Sequence, residues 1–381
     1  MIGLGLGRFS YVPLLPLIID AGWAAPAGAA QIAAANLIGY LIGALTAHRL
    51  ALKIGAPAAI RGAMLAVVIS LLCCSVNLGL GWLWGWRLLA GAAGGVLMIV
   101  SAPTILARVP AAVRGKAIGL VFSGIGCGIM LSGFVVPAMG ALHLSATWLA
   151  LASLAALATA FSWYQLRAAS PVTLAKITAP PVATISLRPR GAMLALLCAY
   201  VLDAIGYLPH TVFWVEYLVH GLNKPVSVGG AYWVVFGAGA AIGPLFAGSA
   251  ADRFGFRRTL IVCFGLKAMA VALPLVSTAL PSLFLSSFLV GALTPGMVAV
   301  ASGRIIEIVG PAGHQRNWAM MTFIYALLQA IGGYAMAALY GATHSFNLLF
   351  AIGAGALCVS TLIAAFGPAS ATSGNRCQGQ V

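Results

Sequence analysis

Twelve apolar runs, each long enough to cross a bilayer, leave this chain few folds to choose from. A helix rises 1.5 Å per residue, so about 20 apolar residues span the hydrocarbon layer. The runs fall at about 1–20, 30–48, 62–80, 82–107, 115–139, 146–166, 191–218, 228–250, 259–279, 281–305, 317–341 and 346–366. What lies between them is too short for a soluble catalytic domain. Barrel strands would alternate in ~10-residue segments, and these runs do not. Only 7% of the 381 residues are charged, against roughly 25% in soluble proteins. Most of the surface must therefore face lipid. The expected fold is an all-α integral membrane protein of twelve transmembrane helices, and soluble enzyme classes are excluded.

A net charge of +15 would suggest a nucleic-acid partner in a soluble protein, but its placement argues otherwise. With the N-terminus inside, the inside loops hold Arg49, Lys53, Arg61, Arg108, Arg114, Lys116, Arg167, Lys176, Arg188, Arg190, Arg253, Arg257, Arg258, Arg304 and Arg316, and the tail holds Arg376. Outside loops hold Lys224 alone, and Arg8, Arg87 and Lys267 fall within spans. The positive-inside rule then puts both termini in the cytoplasm. The expected location is a bacterial inner membrane, with no nucleic acid and no obligate protein partner.

The longest polar interruption, Arg167–Arg190, carries Pro171, Pro180, Pro181 and Pro189, a linker composition. It divides the chain into a six-helix half at 1–166, the linker at 167–190, a second half at 191–366 and a tail at 367–381. The halves resemble each other. Tyr11-x-Pro13 matches Tyr207-x-Pro209, and Gly39-x-Leu41 followed by Ala47-His48-Arg49 matches Gly243-x-Leu245 followed by Ala251-Asp252-Arg253. Leu89-x-Gly91-Ala92 matches Leu289-x-Gly291-Ala292. The expected architecture is two pseudo-symmetric bundles about an axis normal to the membrane.

The Gly3-x-Gly5-x-Gly7 and Gly124-x-Gly126-x-Gly128 runs follow no strand, so they read as helix-packing surfaces and not nucleotide loops. Cys73, Cys74, Cys127, Cys198, Cys263 and Cys358 lie in apolar spans and Cys377 in the tail, without metal or C-x-x-C spacing. No metal or cofactor is expected. The first span lacks a basic n-region and reads as a retained helix.

Gly248-Ser-Ala-Ala-Asp252-Arg253-Phe-Gly255-Phe-Arg257-Arg258 places an acid, a glycine turn and three arginines between two spans. It resembles the signature loop of the major facilitator superfamily, which implies a conformational latch at Asp252, Arg253, Arg257 and Arg258. The first-half loop has His48 where that comparison expects the acid. Trp86-Arg87-Leu-Leu-Ala-Gly91 is similar to a second motif of the superfamily, whose arginine is linked to proton coupling. Arg87 alternatively snorkels to the outer interface. Gly5-Leu-Gly7-Arg8-Phe9-Ser-Tyr11-Val-Pro13-Leu-Leu-Pro16 with Asn36-Leu-Ile-Gly39-Tyr40 resembles the YbfB/YjiJ-type branch. That branch implies a transporter with residues ahead of the Gly-Arg-Phe run, where only seven precede Arg8 here.

Charges inside a membrane are costly and usually functional. Asp203 lies deep in the seventh run, with Tyr207 and His210 at i+4 and i+7 on one face. An acid, a phenol and an imidazole in file could relay a proton, or glue helices together. Asn36 and Tyr40, and Thr322, Tyr325 and Gln329, form further polar faces. The expected substrate contacts are Arg8, Tyr11, Asn36, Tyr40, Tyr207, Tyr325 and Gln329; the expected coupling residues are Asp203, His210 and Arg87, with Asp203 neutralising Arg8 in one state. Arg304 and Glu307 are expected to pair, and Lys267 has no evident partner. The expected function is secondary active transport of a small organic solute by alternating access, driven by protons. The alternative is a sensor or assembly factor on a permease scaffold.

Overall fold

The computed structural model describes residues 1–106, 109–110, 114–140, 142–167 and 191–368. Residues 168–190 of the expected linker and the tail beyond Pro368 lie outside the described residues. Twelve helices are long and apolar enough to cross a membrane. They are α1 (Ile2–Asp20), α2 (Pro26–Ile54), α3 (Ala56–Cys73), α4 (Leu80–Ser101), α5 (Leu120–Gly140), α6 (Leu144–Trp163), α7 (Gly191–Gly221), α8 (Val226–Phe254), α9 (Phe256–Val276), α10 (Leu280–Gly310), α11 (Arg316–Thr343) and α12 (Phe346–Phe366). Number and order agree with the apolar runs. Helices α2 and α8 outrun their runs at the ends bearing Lys53 and Arg253. A polar helix end keeps its backbone hydrogen bonds after it leaves the hydrocarbon, so hydropathy underestimates its length.

The internal repeat has a constant spacing. Helices α2 and α8 both run 29 residues and begin 200 positions apart. Each ends on a glycine in a left-handed conformation, Gly55 at φ 85° and Gly255 at φ 86°, where a Cβ would be strained. A Cβ on Gly43 would strike the Ala92 carbonyl oxygen, and one on Gly243 would strike that of Ala292. Helices α2–α4 and α8–α10 thus touch backbone to backbone in the same way, the small-residue packing that lipid demands. This spacing makes Leu52, not His48, the counterpart of Asp252. That loop match had slipped by one turn, whereas the Gly91 and Gly291 match keeps the 200-residue spacing. Residues four apart share a helix face, so a one-turn slip leaves the pattern of small residues almost unchanged.

The first and last six helices interlock toward the end where α1 finishes. Residues of α7, α11 and α12, among them Leu208, Phe213, Met336, Tyr340 and Leu349, join a core built mainly from α1–α6. Beside it, α5 and α8 meet along a smooth seam where Gly126 faces Gly237 and Gly133 faces Gly230. Leu45, Phe161, Phe246 and Val276 are exposed on the outside of the bundle, where lipid would cover them.

Candidate functional site

Helix α1 is π-helical over Ile2–Phe9 and α-helical from Tyr11. Such junctions leave carbonyl groups without regular helical partners. Arg87 from α4 meets them there, with Nη1 donating to the Gly7 carbonyl at 2.7 Å and Nη2 to that of Arg8 at 3.2 Å. Its guanidinium also lies 5.0 Å from the Tyr11 ring centroid. Arg87 is fully buried, so it does not snorkel; it fastens α1 to α4. Asn36 Nδ2 adds a bond to the Arg87 carbonyl at 3.0 Å, and the Tyr11 hydroxyl donates to the Ala29 carbonyl at 2.8 Å. Tyr11, Asn36 and Arg87 therefore form one backbone-holding network.

A second group gathers on α7, α9 and α11. Lys267 Nζ donates to Asp203 Oδ1 at 2.7 Å, and both side chains are almost wholly buried. Lys267, which the sequence left without a partner, is thus the counter-ion that Arg8 was expected to be. Its ammonium also stands 4.5 Å from the Tyr207 ring centroid, within cation–π range. The Tyr325 hydroxyl donates to Asp203 Oδ2 at 3.4 Å, and Gln329 Nε2 donates to the Tyr207 hydroxyl. The Tyr200 and Tyr325 rings lie 4.5 Å apart. Four of the expected residues, Asp203, Tyr207, Tyr325 and Gln329, thus meet in one layer with Lys267 and Tyr200. Sequence reasoning missed Lys267 because its partner is 64 residues away on another helix; an unexplained charge in an apolar run was the available signal.

His210 belongs to a neighbouring contact. Its Nε2 lies 2.8 Å from Ser286 Oγ, and that hydroxyl donates to the Ala270 carbonyl at 2.6 Å. The serine proton is committed, so His210 Nε2 is the donor, and its Nδ1 is buried without a partner. The imidazole stacks on Trp214 at 4.3 Å.

Arg8 stands apart. Its guanidinium lies 5.0 Å from the Phe9 ring and 5.7 Å from the Tyr40 ring. The chain has five acids. Asp20 and Glu216 meet His220, Asp203 meets Lys267, and Glu307 meets Arg304 at 2.7 Å. Asp252 is exposed and in no ion pair among the described residues. None of the five pairs with Arg8. In the signature loop, Arg253 lies over Phe254, whereas Arg257 donates to the Ala365 and Gly367 carbonyls at 2.8 and 3.0 Å, capping α12.

A family model described as "Uncharacterised MFS-type transporter YbfB" matches residues 1–365. The chain belongs to this YbfB-type family of the major facilitator superfamily. It is accordingly a membrane transporter and not an enzyme. No curated protein matches this YbfB-type chain. Its fold is similar to that of a D-xylose–proton symporter, with a TM-score of 0.78, 15% identity, and coverage of 97% of this chain and 96% of that one. The xylose transporter XylE from E. coli is also similar. Its inward open conformation gives a TM-score of 0.75 at 14% identity over 97% and 95% of the two chains. The partially occluded inward open conformation gives 0.71 at 13% over 94% of each. At these identities the likeness is one of fold.

Proposed function

We propose that this family member moves a small organic anion by alternating access between its two six-helix halves, 1–166 and 191–366, and that protons drive it through Asp203. The carrying observation is the buried Asp203–Lys267 pair, set against the Tyr325, Tyr207 and Gln329 layer. Proton uptake by Asp203 removes one charge of the pair and frees Lys267, which rearranges the layer that the solute contacts. Arg8 supports an anionic solute: an arginine within a span costs at least ~2.5 kcal/mol on insertion scales, and no acid of the chain offsets it. A sugar such as D-xylose has no charge to offer. Tyr40 stands beside Arg8, so charge and aromatic face adjoin. The basic residues support a bacterial inner-membrane placement with both termini cytoplasmic.

The test is a charge series in proteoliposomes, assayed with organic anions and with D-xylose. Asp203→Asn should abolish accumulation under a pH gradient while sparing solute exchange, and Asp203→Asn/Lys267→Gln repeats it without a stranded ammonium. Arg8→Gln should weaken anion binding by at least about tenfold, the loss of one charge-assisted bond. Proton-driven accumulation by both Asp203 variants sinks the coupling role, and xylose transport indifferent to Arg8→Gln sinks the anion.

The loop after α8 is proposed as the cytoplasmic latch. Asp252 is unpaired here and so free to engage a basic group in another state. Asp252→Asn should slow turnover with expression unchanged; turnover equal to that of the unaltered protein counts against it.

A further inference from the structure

Asp20 is the last residue of α1, and His220 lies in the last turn of α7, 200 positions later. The two therefore occupy equivalent places in the repeat, and they touch. His220 Nε2 lies 2.8 Å from Asp20 Oδ1, and its Nδ1 lies 2.9 Å from Glu216 Oε1. Both ring nitrogens thus face a carboxylate oxygen. An ionised carboxylate only accepts, and a neutral imidazole has a single N–H. The two contacts are both hydrogen bonds only when the three groups share one extra proton. Position favours the charged ring, because α1 and α7 both end here and a cation suits a helix C-terminus.

Exposure decides what happens when that proton leaves. The Glu216 side chain is 2% exposed and that of Asp20 51%. The remaining N–H stays with the buried Glu216, which has no water to turn to. Asp20 then meets a bare nitrogen lone pair and has water to turn to. Among the described residues, the other titratable groups facing Glu216 are Tyr340 of α11 and Tyr11 of α1, with His344 packed on the Tyr340 ring at 6.0 Å.

We infer that Asp20, Glu216 and His220 form a second proton-binding site, which clasps the two halves at the mouth when loaded and releases Asp20 when empty. That this mouth faces outward rests on the proposed orientation; the site itself does not. Its ligand is a proton from the adjoining aqueous phase, and it is separate from Asp203.

The test reads the mouth without any solute. Spin labels on cysteines introduced at the exposed Ala21 and Lys224, in a chain otherwise free of cysteine, report the distance between the α1 and α7 ends. Buffers about two units below and above the ordinary imidazole value of roughly 6.5 should give a short distance and a longer one. His220→Gln should lose this response. Asp20→Asn should stay short at both, since an amide pairs with either form of the ring. An unaltered protein indifferent to pH, or a His220→Gln variant that still responds, overturns the clasp. Asp203→Asn should keep the response, so the mouth and the proposed coupling fail or stand separately.

Discussion

Lys267→Met on its own is expected to cost about 3–5 kcal/mol of stability, the penalty for stranding one buried charge. The Asp203 side chain is 2% exposed and, among the described residues, has Tyr325 as its only other side-chain donor, at 3.4 Å. Removing both charges together, as in Asp203→Leu/Lys267→Met, should return most of the loss, because apolar residues of similar volume often replace a buried pair without penalty. Unfolding in detergent mixtures, followed by tryptophan fluorescence, gives the values for Lys267→Met, Asp203→Leu and the double variant. Losses that simply add would mean that the two residues are not one unit.

Gly43→Ala and Gly243→Ala form the second case, and their effects should match each other. Each added methyl meets a carbonyl oxygen on the facing helix. A backbone atom has no rotamer by which to retreat, so the helices must part. Overpacking typically costs about 1–3 kcal/mol and occasionally more, and both variants belong at the upper end. Gly62→Ala is the control, since a Cβ there meets nothing within 4 Å; it should leave stability unchanged within about 1 kcal/mol. The same unfolding assay ranks them. A Gly43→Ala protein as stable as the Gly62→Ala protein would mean that the α2–α4 contact is looser than it looks.

The spans were legible because a bilayer imposes one strong rule: runs of about 20 apolar residues have few other fates. The existence of a repeat was legible from Gly91 and Gly291, which lie against the Asn36 and Phe236 carbonyls of the facing helices. Its register was not legible at the signature loop, since the Gly39-x-Leu41 and Gly243-x-Leu245 motifs sit one turn apart in α2 and α8. Site residues on a single helix were visible as faces, which is how Asp203 and Tyr207, and Tyr325 and Gln329, came forward. Their pairing was hidden, because which face meets which depends on how helices cross. Lys267 and Asp203 meet only through the packing of α7 against α9. The roles of Tyr11 and Arg87 were obscured for a related reason: both bind backbone carbonyls on neighbouring helices, and a sequence does not reveal which carbonyls a side chain will meet.

The contact between Asp20 and His220 carries a lesson about duplication. Two residues at equivalent positions that touch each other must lie on the axis relating the halves. A chain built from two identical repeats would bring a residue there against its own copy, acid against acid or base against base. No attraction of opposite charges is open to such an ancestor at that point. The bond became available only after the repeats ceased to be identical, so divergence, and not symmetry, supplied the tie across the mouth.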